Sequence, residues 1–167
     1  MLQLKDLPDV KILTKFAARY PEANIDGVIQ FLTLLRVGSD LSYALDNFLG
    51  QYGLLQGRWW VLILLMREED LTSTPSSLAE KAGVSRATMT GLIDGLDKEG
   101  LIIRVTDITD RRKFQIKLTG TGQAKLDEVM PEYYRRVDRL MSVLSPVEGD
   151  ALTSMLMKLQ NNRDVFK

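Results

Sequence analysis

The feature that most constrains this sequence is the segment 74–118, where signals for two short helices and two short strands follow one another closely. Thr74-Pro75 combines an N-cap residue with proline at the first helical position, and it opens a short helix through Ala82. After a glycine, Ser85 is a second N-cap, and it opens a helix over Arg86–Glu99 that another glycine ends. Two short helices joined by a tight glycine-containing turn form a helix-turn-helix.

Two strand-like segments follow the second helix directly. Leu101–Val105 and Phe114–Leu118 are β-branched or alternating, and they bracket the polar stretch Thr106–Lys113. A hairpin attached to a helix-turn-helix is a winged helix. The sequence therefore predicts a mostly α fold of the α+β winged-helix kind.

The rest of the chain is predicted to be helical, with no linker or repeat to divide it. Helices are expected over about 9–20, 25–50 and 56–69 before the motif, and over about 122–144 and from 146 after it. Periodicity alone leaves a strand open for the apolar run Trp59–Met66, whereas its polar flanks favour a buried helix. Pro131 should kink or loosen its helix. Ser145-Pro146-Val147-Glu148 is a capping box that starts the last helix.

Composition excludes several classes of function. The 167 residues are 45% hydrophobic and 26% charged, which is typical of one globular domain. The absence of Cys and His excludes disulfides, zinc fingers and thiol redox sensing, and we expect no metal site and no cofactor. No paired carboxylates flank a nucleophile-bearing loop, so an enzyme is not expected. Lys5, Asp6 and Asp9 interrupt any signal-peptide core, and no apolar run reaches the roughly 18 residues of a membrane span, which favours a cytoplasmic protein without a membrane segment.

Charge is balanced overall but uneven along the chain. Lys and Arg number 22 and Asp and Glu also 22, which argues against a polybasic protein that binds any phosphate. Five basic and two acidic side chains lie between Arg104 and Lys117, and Asp110-Arg111-Arg112-Lys113 is placed at the tip of the hairpin. A solvated turn is the simpler interpretation, but such turns usually carry Asn, Gly or Asp rather than three cations. This local charge suits modest phosphate neutralisation.

Three stretches of the chain match the pattern of a known family. They are Leu78–Thr88 (LAEKAGVSRAT), Leu96–Ile102 (LDKEGLI) and Asp110–Lys113 (DRRK), the last followed by Ile116, Leu118 and Thr119 at the expected spacing. In these stretches the chain resembles the MarR family, the multiple antibiotic resistance regulators. The resemblance covers about residues 25–160.

The resemblance implies a homodimeric, sequence-specific transcriptional regulator, more often a repressor than an activator. Residues 1–53 and 122–167 would form the helical dimerisation region, and residues 54–121 the winged helix-turn-helix that binds double-stranded DNA. The helix that begins after Ser85 would lie in the major groove of a pseudo-palindromic operator, and the wing would reach the adjacent minor groove.

Four residues of that helix and its cap are expected to contact DNA. Ser85 can donate to phosphate beside the free N–H groups of the helix start. Arg86, Thr88 and Thr90 point away from the apolar face, so they can reach base edges or phosphates.

Four residues of the wing are expected to act with them. Arg112 is the candidate for minor-groove insertion, where narrow A·T-rich stretches concentrate negative potential. Asp110 would orient Arg112 through a charge-assisted hydrogen bond. Arg111 and Lys113 are expected to contact phosphates.

Three other residues of the helix that begins after Ser85 are not assigned as DNA contacts. Asp94 is expected to lie beyond the contact surface or to support a basic neighbour. Gly91 stands where relatives often carry a basic or larger polar side chain, and Gly95 follows one turn later. The two glycines either permit close packing or approach to DNA, or they leave fewer base contacts.

Members of the family commonly bind small aromatic or phenolic anions between the dimerisation helices and the winged helix. Arg36, Tyr52, Trp59 and Trp60 could supply a cation and stacking surfaces for such an effector. The simpler interpretation is that Trp59 and Trp60 are core and interface residues.

Two alternative functions remain open on the sequence alone. A winged helix can serve as a protein-interaction module without a DNA target, although the basic tip speaks against this. An enzyme is the weaker alternative, because the carboxylates lie on polar helix faces.

Overall fold

The computed structural model describes residues 9–106 and 114–166, apart from the side chain of Val10. The predicted wing tip, Asp110-Arg111-Arg112-Lys113, lies outside these residues. The elements in chain order are α1 (Val10–Arg19), α2 (Ile25–Gly50), α3 (Gln56–Met66), β1 (Thr72–Ser73), α4 (Pro75–Ala82), α5 (Arg86–Lys98), β2 (Ile102–Thr106), β3 (Phe114–Leu118), α6 (Gly120–Met141), α7 (Pro146–Asn161) and a 3₁₀ turn (Arg163–Phe166).

The helix-turn-helix forms as its capping residues predict. Thr74 Oγ1 accepts a hydrogen bond from the Ser77 N–H at 3.2 Å, and α4 starts there. Gly83 ends α4 with φ of +65°, a left-handed conformation that favours glycine. The helix-turn-helix prediction is therefore confirmed, with α5 ending one residue earlier than expected.

The hairpin is confirmed and has a third strand that was not expected. Strands β2 and β3 pair antiparallel, from Ile102 opposite Leu118 to Thr106 opposite Phe114. Strand β1 adds to the other edge of β3, so the order is β1-β3-β2. A two-residue strand has no alternation of its own, and only its partner in space reveals it.

The core lies where α3 meets the winged helix. Trp59, Val61, Leu62, Leu64 and Leu65 are buried on α3, which settles the ambiguity between helix and strand in favour of a buried helix. They belong to one cluster with residues of α4, α5, the sheet and the first half of α6. Helix α3 thus packs against both helices of the helix-turn-helix.

The C-terminal helices extend away from this core. Helix α6 runs without a break through Pro131, and its start is set by Thr119, whose Oγ1 accepts from the Gly122 N–H at 3.0 Å. The capping box at Ser145 and Glu148 is confirmed at the start of α7. Helix α7, which the structure describes in full, has no buried residue. None of the described helices is long and apolar enough to cross a membrane.

Candidate nucleic-acid interface and effector cavity

Helix α5 separates an apolar face from a polar one. Met89, Ile93 and Leu96 are buried against the core. Arg86 and Thr90 are exposed outside this buried face. The cap of α5 thus leaves the first turn of the helix open to a ligand.

The hydroxyl groups at this end have distinct hydrogen-bonding capacity. Ser85 Oγ accepts from the Thr88 N–H at 3.1 Å and lies 2.8 Å from Thr88 Oγ1. Only one of the two hydroxyl protons can lie between these oxygens, so the pair keeps one O–H for an outside acceptor such as phosphate. Thr90 Oγ1 donates its proton to the Arg86 carbonyl at 2.9 Å. Thr90 therefore offers a methyl group and acceptor lone pairs rather than a donor.

Arg104 ties strand β2 to helix α5. Its guanidinium forms an ion pair with Asp94, and its Nε lies 3.1 Å from Asp97 Oδ2. The ring of Phe114 lies 5.5 Å from the guanidinium carbon. Asp94 thus supports a basic neighbour, as expected, and both Asp94 and Asp97 are paired with a cation. Sequence reasoning missed Arg104 and Asp97, because nothing in their spacing shows that a strand residue returns to the helix.

The two glycines of α5 differ in their surroundings. A methyl group at Gly91 would meet nothing within 4 Å, so this position is open. A methyl group at Gly95 would lie 2.7 Å from the guanidinium carbon of Arg58, which crosses the helix there. Arg58 also forms an ion pair with Glu99. Close packing therefore accounts for Gly95 but not for Gly91, and Arg58 is a second residue that sequence reasoning missed.

A cavity of about 480 Å³ lies between α2, the start of α3 and α6. Its wall is mainly apolar and includes Phe48 and Tyr133. Among the described residues that line it, Arg136 carries the charge, and its guanidinium lies 4.6 Å from the centroid of the Phe48 ring. Ser42 Oγ of α2 donates to Gln56 Oε1 of α3 at 3.0 Å, and both residues line the cavity. Such a wall suits a small aromatic molecule with a negative charge.

Arg136 is held in place by a neighbouring carboxylate. Its Nε donates to Glu132 Oε1 at 2.8 Å. This hydrogen bond lowers the pKa of the Glu132 carboxyl below its usual value, assisted by the nearby charge of Arg135. Glu132 is therefore ionised at neutral pH and keeps the guanidinium oriented.

The residues proposed from the sequence for the effector do not line this cavity. Arg36 pairs with Asp40 at 2.6 Å along α2. Trp59 is fully buried in the core, as its simpler interpretation expected, and Trp60 is 40% exposed. Tyr52 packs edge-on against Phe48 at 5.3 Å, which places it behind the wall of the cavity rather than in it. Phe48 lies on α2, whereas Tyr133 and Arg136 lie on α6, about 85 residues later in the sequence. Only the fold brings these three residues together.

Comparison with known proteins agrees with the winged helix-turn-helix fold. Residues 52–113 match the model of the MarR family. Over 166 residues the chain is 31% identical to the HTH-type transcriptional repressor YetL of Bacillus subtilis, and the alignment covers 99% of each chain. The chain belongs to the MarR family.

Other MarR-type proteins extend the comparison. The transcriptional repressor MprA of Escherichia coli is 29% identical over 93% of this chain and 89% of its own. The crystal structure of Sco3205, a MarR family transcriptional regulator from Streptomyces coelicolor in complex with DNA, superposes with a TM-score of 0.78 over 84% of this chain and 89% of that one, at 18% identity. The same fold is thus present, and the family is one of transcriptional regulators rather than enzymes. Within residues 9–106 and 114–166 no three carboxylates are grouped to hold a metal ion.

Proposed function

We propose that this MarR-family chain is a homodimeric repressor that binds a pseudo-palindromic double-stranded DNA site and is released by a small aromatic or phenolic anion. The observation that carries the proposal is the polar face of α5, which exposes Arg86 and the Ser85–Thr88 hydroxyl pair while its other face is anchored in the core. We expect the protein in the cytoplasm. The winged helix-turn-helix, residues 54–121, is the DNA-binding region of this proposal.

The N-terminal end of α5 is the part that enters the major groove. The free N–H groups of the first turn and the outward O–H of the hydroxyl pair can bind one phosphate, and Arg86 adds a positive charge beside them. Thr90 then faces a base rather than a phosphate, because its proton is used within the helix. The wing adds Arg111, Arg112 and Lys113, with Asp110 orienting Arg112.

Dimerisation is proposed to use residues 1–53 and 122–167. The helices of this region expose many large apolar side chains, which in a lone protein chain would remain in water. On α2 and α7 they include Phe31, Leu35, Met155, Leu156 and Leu159. A second copy related by a two-fold axis would cover them and would set two α5 helices against the two halves of a palindrome.

The effector is proposed to occupy the cavity between α2 and α6. A carboxylate would pair with Arg136, and an aromatic ring would pack against Phe48 and Tyr133. The cavity borders both the dimerisation helices and the start of α3, so an occupant can change how the winged helix sits on the dimer.

Selection of duplexes from a random DNA pool tests the central part of the proposal. The protein should enrich a pseudo-palindromic sequence and bind it as two chains per duplex, as measured by sedimentation. Failure to enrich any sequence, together with capture of a protein by the winged helix, would favour the alternative of a protein-interaction module.

A thermal-shift screen with hydroxybenzoates and hydroxycinnamates tests the effector site. At least one compound should raise the melting temperature, and Arg136→Gln should abolish that rise. Arg36→Gln is the matched control, because Arg36 also pairs with a carboxylate four residues away but lies outside the cavity wall. Stabilisation that survives in Arg136→Gln and disappears in Arg36→Gln would move the site to the residues first expected from the sequence.

A further inference from the structure

Two glycines, Gly57 of α3 and Gly95 of α5, each lie under a side chain of the other helix. A methyl group at Gly57 of α3 would lie 3.0 Å from Leu92 Cδ2 of α5. A methyl group at Gly95 of α5 would lie 2.7 Å from the guanidinium carbon of Arg58, the residue after Gly57. The Arg58 guanidinium therefore occupies the space that a side chain at position 95 would take.

Arg58 then reaches the end of α5. Its guanidinium forms an ion pair with Glu99, the C-cap residue of the helix. The Arg58 side chain is 23% exposed and the Glu99 side chain 41%, so water screens the pair in part. A planar guanidinium that is held over a glycine and paired at its tip has little freedom left.

Helix α5 is thus held at its C-terminal half from two sides. Arg58 of α3 holds it through Glu99, and Arg104 of β2 holds it through Asp94 and Asp97. The DNA-contacting residues lie at the other end of the same rigid helix. A small rotation at the held end moves the reading end by a larger distance.

We propose that Arg58 is a positioning residue for DNA binding, which sets the orientation of α5 through Gly95 and Glu99 without contacting DNA itself. This rests on the proposed function, because it concerns how the reading helix meets the groove. The alternative role for Arg58 is a phosphate contact, because Arg58 is a cation that packs against the proposed DNA-binding helix. The two roles differ in measurable ways.

Glu99→Gln separates the roles by the sign of its effect. If only charge matters, removing a carboxylate near DNA raises the affinity. If Glu99 holds Arg58 against α5, the same change weakens binding to the selected duplex, by roughly tenfold for an interaction of ordinary coupling strength. Glu80→Gln, at an exposed carboxylate of α4, is the matched control for charge, and its affinity should stay equal or rise.

Arg58→Ala gives the second measurement. It should weaken binding about as much as Glu99→Gln, and the double variant should be no weaker than Arg58→Ala alone, since both changes break one contact. The slope of log K against log[salt] should stay that of the wild type, whereas removal of a cation that neutralises a phosphate would flatten it by about 0.9. The exchanged pair Arg58→Glu with Glu99→Arg should recover affinity. All variants are compared at a temperature where far-ultraviolet circular dichroism shows them fully folded.

The positioning role and the proposed function fail in different ways. A wild-type protein that selects no duplex contradicts the proposed function and the positioning role with it. The positioning role alone is overturned if the wild type binds DNA and Glu99→Gln binds it with equal or higher affinity. The same conclusion follows if the wild type binds DNA and Arg58→Ala flattens the slope of log K against log[salt].

Discussion

Gly91 and Gly95 show how much a single position depends on what lies across from it. Both are interior glycines of α5, one turn apart, and their sequence context provides no reason to treat them differently. The structure leaves Gly91 open and places the Arg58 guanidinium over Gly95. The N-cap residues were predictable, because capping depends on the next three residues only, whereas the role of Gly95 depends on a residue 37 positions earlier.

Alanine at the two glycines should therefore have different effects on stability. Gly91→Ala should raise the free energy of unfolding by about 0.5–1 kcal/mol, because alanine restricts the unfolded chain and meets no atom in the helix. Gly95→Ala should gain clearly less, because the methyl group displaces Arg58 and loosens its pair with Glu99. Urea denaturation of both variants measures the difference, and equal stabilisation would show that Arg58 contributes nothing there.

Glu148 at the start of α7 provides a prediction about pH. The Ser145 N–H and hydroxyl donate to its carboxylate at 2.8 and 2.7 Å, and these hydrogen bonds lower the pKa of Glu148. A carboxyl whose pKa is lower in the folded state stabilises the fold above its unfolded pKa of about 4.3 and loses this contribution as the pH falls through the folded value. Glu148→Gln should therefore lower the melting temperature at pH 7 and have little effect near pH 3. Asp150→Asn is the control, and a pH-independent difference for Glu148→Gln would contradict the explanation.

At the scale of elements, the sequence predicted those helix bounds that residues close by in the chain determine. The bounds of α2 and α4 agree with the prediction, because caps, proline and glycine set them. Helix α3 ends at Met66 and α6 at Met141, three residues before the expected ends. Residues 67–69 are polar residues that a helix tolerates, and Leu144 continues the apolar spacing of α6 into the turn that follows it. Strand β1 and the cavity wall could not be predicted, because they arise from residues brought together by the fold.

The Arg104 bridge between β2 and α5 gives a prediction at this scale. Arg104→Ala should weaken DNA binding, because it removes the ion pairs between β2 and α5 and leaves Asp94 and Asp97 without their cation near phosphate. Changing both aspartates to asparagine in that variant should recover the electrostatic part of the affinity, as gel-shift titration can measure. If recovery is complete, the bridge neutralises charge and does not position α5.

At the scale of the whole molecule, the apolar surface of α7 predicts a dimer. Met155→Glu should give a monomer by sedimentation and should bind the full palindrome more weakly, because two linked reading helices bind far more tightly than one. Ile103→Glu also adds a charge at an exposed apolar residue, but on β2, and it should remain dimeric. A dimeric Met155→Glu protein would place the interface elsewhere.

The chain has no net charge, and in the proposed function it binds DNA through basic side chains on the wing and at the start of α5. The most direct test is the affinity of the wild type and Arg112→Ala for the selected duplex across a series of salt concentrations. Arg112→Ala should weaken binding, flatten the slope of log K against log[salt] by about 0.9 for each phosphate that the variant no longer neutralises, and leave the dimer intact. Unchanged affinity and slope in Arg112→Ala would contradict the role assigned to the wing.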